Sequence, residues 1–272
     1  MNWRAIRAIV RKDLKVVTQS KAVLLPLILV PLIMLVIIPA AFALVPSMLG
    51  SSLAADNDMQ IFLANMPAGL KAELAGYNVD QQMVVMGLVY FLAPMYLIIP
   101  LMVASVIAAD SFAGEKERKT MEALLYSPTT DSELFTAKLL SAWVPAVIIA
   151  LVGFVVYGVV ANAAAWPLIG RIFFPNLMWV LMAVWVAPAV AGLGLGATVL
   201  VSSRVQTFQE AYQMGGMVVL PVIFLVVGQA TGVMYFSVAL VALLGLIVWA
   251  IDAALLWYGA KSFQRGQVIA KI

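Results

Sequence analysis

The chain has 272 residues, 64% of them hydrophobic and only 11% charged, with a net charge of +3. Soluble domains carry about 25% charged residues, so this composition excludes one and points to a polytopic membrane protein. Cysteine and histidine are both absent, which removes disulfides, thiolate chemistry and the commonest general base and metal ligand.

Residues 1–21 read as a basic amphipathic helix. Trp3, Ile6, Val10, Leu14 and Val17 recur at three- and four-residue spacing, while Arg4, Arg7, Arg11 and Lys15 line another face. Such a helix lies in the membrane interface with its cations toward acidic headgroups. Residues 22–46 form a first span, long enough for the ~30 Å hydrocarbon core, with kinks expected at Pro26, Pro31 and Pro39. Residues 47–80 turn polar, and Met59, Phe62, Leu63, Met66, Leu70 and Leu74 mark an apolar stripe broken at Pro67. This reads as two short helices on the outer face, either shielding an exit path or acting as a spacer.

A second span covers residues 82–108, and the third, fourth and last two are expected at 139–161, 177–201 and within 214–260. The last two part at residues 229–235, an uncharged break that is either a hairpin tip or a re-entrant turn. The fold class is therefore all-α, with six transmembrane helices. Fourteen of the sixteen basic residues fall on one side of this arrangement, leaving Lys71 and Arg171 on the other. The positive-inside rule then puts both ends of the chain in the cytoplasm.

Residues 109–138 hold ten of the charged residues: Asp110, Glu115, Lys116, Glu117, Arg118, Lys119, Glu122, Asp131, Glu133 and Lys138. Ser111 is placed to cap a helix, with Glu115/Lys119 and Arg118/Glu122 as i,i+4 pairs. Pro128 ends that helix, and Thr130 with Glu133 forms a capping box for the next. Met121, Leu124 and Leu125 give the segment an apolar edge suited to docking.

This stretch resembles the first cytoplasmic loop of type-2 ABC exporter permeases. The resemblance rests on residues 113–125, on Ser127 and Pro128, on Glu133 and Leu134, and on Lys138. It implies a cytoplasmic coupling helix seated on a separate P-loop ATPase subunit. Phe112, Gly114, Glu115, Glu117, Arg118, Thr120, Glu122, Leu124, Leu125 and Pro128 are the expected ATPase-coupling residues. It also implies a homodimer of this chain in a two-plus-two complex, in a bacterial or archaeal plasma membrane. Residues 1–21 would be the connecting helix and 22–272 the transmembrane domain.

No G-x-x-x-x-G-K-[ST] occurs in the sequence, so ATP–Mg is expected on the partner, with no cofactor and no catalysis on this chain. No nucleic-acid partner is expected. One acid, Asp252, falls inside a span. It is either a cation or proton site, which would suit an ion-coupled secondary carrier instead, or a hydrogen-bonding partner that fixes helix packing. Gly192, Gly194 and Gly196 permit close helix approach, more in keeping with packing within the chain than with a dimer seam.

Overall fold

The computed structural model describes residues 2–49, 67–120, 129–231 and 234–262, and among these the secondary structure is helical with no strand. In chain order the helices among the described residues are α1 (Trp3–Gln19), α2 (Lys21–Leu44), α3 (Ala68–Leu74), α4 (Val79–Glu117), α5 (Asp131–Ile169), α6 (Leu177–Ser202), α7 (Phe208–Gln229) and α8 (Val238–Trp257). All but α1 and α3 are long and apolar enough to cross a membrane, which makes six.

The two helices flanking the polar stretch are longer than their apolar runs. α4 continues to Glu117 and α5 starts at Asp131, so the charged residues from Asp110 to Glu117 and from Asp131 to Lys138 extend the spans. α5 begins as its sequence requires: the Thr130 side chain accepts from Glu133 N–H, and the Glu133 carboxylate accepts from Thr130 N–H. Ser111 does not cap a helix. It lies within a widened π-helical turn of α4, Asp110–Gly114. α4 then stops in a Schellman motif: Thr120 N–H donates to Glu115 O and Lys119 N–H to Lys116 O, both at 2.9 Å. Lys119 takes the left-handed position (φ 55°) that glycine usually fills. A lysine there gives no stop signal in the sequence, and this early stop prevents the expected Glu115/Lys119 pair. Glu122 and Pro128 lie outside the described residues.

α4 and α6 form the centre of the bundle, and α6 packs against α4, α5, α7 and α8. The glycine series on α6 makes this possible. Two residues turn a helix by about 200°, so alternate glycines face opposite sides. A Cβ at Gly194 would lie 2.6 Å from Leu101 O of α4, while Gly192 and Gly196 face Asp252 and Leu255 of α8. The stripe thus serves contacts within the chain. By contrast α2, α7 and α8 leave Leu25, Ile28, Leu29, Leu220, Phe224, Leu243 and Leu246 exposed, as hydrocarbon-facing spans do.

A second widened turn, Met86–Phe91, sits in the N-terminal half of α4. Such a turn disturbs the i→i−4 ladder, and carbonyls in apolar surroundings need donors. Tyr157 Oη donates to Leu88 O at 2.5 Å and Trp179 Nε1 to Val89 O at 2.6 Å, their rings stacked 4.7 Å apart. α3 rests close by on Leu70 and Leu74, and its Glu73 accepts hydrogen bonds from Tyr90 and, at 2.8 Å, from Tyr235. α3 is one of the two short helices expected in residues 47–80; the other falls on residues outside those described.

Candidate functional site

α1 is amphipathic as its sequence demands: Ile6, Ile9 and Val17 are buried, and Arg4, Arg7, Arg11 and Lys15 are exposed. The buried stripe packs on Leu134, Ala137 and Leu140 of α5. It also carries an acid, Asp13, which is only 3% exposed. That acid opens onto a cluster of charges shared by α1, α4 and α5.

Lys138 of α5 is at its centre, with no exposed surface. An ammonium has three protons to place. Lys138 Nζ lies 2.5 Å from Ser111 O, 2.5 Å from Glu115 Oε2 and 3.2 Å from Ser111 Oγ. The widened turn supplies two of these acceptors, because it presents both Ser111 oxygens toward α5. The Ser111 hydroxyl donates a hydrogen bond to Asp13 Oδ2 at 2.9 Å, and Ser141 Oγ donates to the same oxygen at 3.0 Å. Lys12 bridges the remaining oxygens, with Nζ 2.9 Å from Asp13 Oδ1 and in contact with Glu115 Oε1. Arg118 closes the far side on Asp110 Oδ1 at 2.8 Å. Three acids, Asp13, Asp110 and Glu115, thus meet three bases, Lys12, Arg118 and Lys138. Burial pulls the Lys12 ammonium down, but hydrogen bonding and charge from Glu115 and Asp13 more than offset this. Its pKa stands above the ordinary lysine value.

The same end of α4 reaches two further helices. Lys116 Nζ donates to Ser202 O, the last residue of α6, at 2.7 Å. Glu117 accepts the N–H of Phe208, the first residue of α7, at 2.9 Å, where a carboxylate also complements the helix dipole. Residues 110–120 are therefore bonded to α1, α5, α6 and α7 at once.

The family model described as "ABC-2 family transporter protein" matches residues 7–253. The chain belongs to this family. No curated protein and no solved structure matches it. Membership of the ABC-2 family together with six candidate spans makes the chain a multi-pass membrane protein with a permease role.

Of the residues expected to couple this ABC-2 transporter protein to an ATPase, Phe112, Gly114 and Glu115 are buried within the chain. Glu117 and Arg118 are engaged with Phe208 and Asp110, and Thr120 closes the helix end on Glu115 O. Glu122, Leu124, Leu125 and Pro128 lie outside the described residues. The sequence reading missed Lys12, Asp13 and Ser141, and it placed Lys138 in the motif without a role. Asp13 had a visible signal, as a charge on the apolar stripe at the spacing of Ile6, Ile9 and Val17. The burial of Lys138 had none, because a lysine at the end of a span ordinarily reaches water. Asp252 lies apart from this cluster, against Gly192.

Proposed function

We propose that this chain is the membrane-spanning subunit of an ATP-driven exporter, working with a separate P-loop ATPase that holds ATP–Mg. Two copies of the chain form the transport path, and each carries one ATPase on the loop that follows α4. Both ends of the chain face the cytoplasm of a bacterial or archaeal cell, in line with the fourteen-to-two distribution of basic residues.

What supports this reading is the bonding of residues 110–120 to four other helices. A force applied to the loop after Thr120 meets no free joint at the end of α4. It is passed through Glu115 and Lys138 to α5, through Asp13 to α1, through Lys116 to α6 and through Glu117 to α7. Glu115 and Arg118 then transmit movement from inside the chain, and the direct ATPase contact falls to the loop residues Leu124 and Leu125. ATP would drive transport by binding more tightly to one arrangement of these helices than to the other.

The test is capture of the ATPase by the double variant Leu124→Ala, Leu125→Ala. Burying a leucine contributes ~1.5–3 kcal/mol, so loss of two lowers partner affinity by several powers of ten. The variant should elute normally on size exclusion but lose its ATPase and its substrate-stimulated hydrolysis. A monodisperse variant that keeps wild-type affinity would refute the docking role of this loop.

A further inference from the structure

Asp252 is the only acid in α8. It is 1% exposed, and neither carboxylate oxygen has a hydrogen-bond partner among the described residues. The carboxyl lies over the backbone of Gly192, where a Cβ would meet Oδ2 at 2.6 Å, so glycine is what leaves room for it. α6, the helix packed along this face, has no Asp, Glu, Lys, Arg or Tyr from Leu177 to Ser202. No basic side chain from that helix neutralises the group.

A packing role through hydrogen bonds requires a partner, and none of the described residues supplies one. An ionised carboxylate with neither a counter-ion nor a donor is among the least favourable groups to bury in an apolar interior. A metal cation would need several oxygen ligands, and among the described residues Asp252 belongs to no group of three acids that could hold one. A proton neutralises the group and needs no further ligand. We propose that Asp252 is a proton-binding site, whose carboxyl takes a proton from water as α6 and α8 pack and returns it when they part. No bond other than O–H forms or breaks, and no co-reactant is required. This inference does not rest on ATP drive, and it stands or falls separately from the docking loop.

Infrared spectroscopy of the full chain in lipid, with carboxyl-labelled aspartate, reads the site directly. The expected result is a carboxylic-acid C=O stretch that Asp252→Asn removes and that disappears and recovers as the bath is cycled to alkaline pH. Asp252→Glu, which keeps the acid, should move the band out of the labelled set without loss of folding, and it serves if the asparagine variant fails to assemble. The proposal is overturned if the folded wild type shows no such band. It is equally overturned if the band survives Asp252→Asn, or if it never responds to the bath.

Discussion

Replacing Lys138 by methionine keeps the length of the side chain and removes its charge. Lys138 is fully buried, and its three donors meet Ser111 O, Ser111 Oγ and Glu115 Oε2. Breaking a buried ion pair from one side costs ~3–5 kcal/mol, because the abandoned charge stays behind. Glu115 keeps Lys12 on its other oxygen, so the loss belongs at the low end, ~3 kcal/mol. For a chain of this size ~1 kcal/mol moves the unfolding midpoint by ~2–4 °C, which predicts a drop of ~6–12 °C. The assay is the fraction of monodisperse protein left on size exclusion after heating in detergent. Glu115→Gln should also destabilise, but the double variant Lys138→Met, Glu115→Gln should fall short of the sum by ~1.5 kcal/mol or more, since no orphan charge remains on that side. A wild-type midpoint for Lys138→Met, or strict additivity in the double variant, would show that the cluster does not act as a buried, coupled unit.

Gly194→Val should destabilise by at least ~1–3 kcal/mol, because its Cβ would lie 2.6 Å from Leu101 O, a backbone atom that cannot swing aside. Gly196→Ala meets only the Leu255 side chain, at 3.1 Å, and should cost less; equal midpoints for the two would refute the reading of α6 as wedged between α4 and α8. Cysteines at exposed Arg171 and Ser203 test the orientation: an impermeant thiol reagent added to whole cells should label the first and spare the second, and the reverse pattern would invert the topology. The raised pKa of Lys12 means that its contribution is complete below the ordinary lysine range and is lost as pH rises through the folded value. The unfolding midpoint should therefore fall at strongly alkaline pH in the wild type, and Lys12→Gln should flatten part of that fall.

The number of spans and their order were legible because hydrocarbon imposes a one-dimensional rule: some twenty apolar residues, unbroken by charge, form a helix. The amphipathic α1 and the capping box at Thr130 were legible for a related reason. Both depend on residues three or four apart, and such spacings survive in a linear string. The course of residues 110–120 was not. Their charges suggested a separate helix in water, but residues 110–117 continue α4, and Glu115 is neutralised by bases 23 and 103 positions away in the chain. A charge in a sequence does not reveal whether water or a distant ion neutralises it, since that depends on which helices pack together. The glycines of α6 show the same division. Their spacing promised close packing, and only the tertiary structure decided that Gly194 faces α4 while Gly192 faces α8. Asp252 was visible as an acid in an apolar span. That no hydrogen-bond partner among the described residues meets it follows from the identity of the helix beside it, because desolvation is set by neighbours in space and not in sequence.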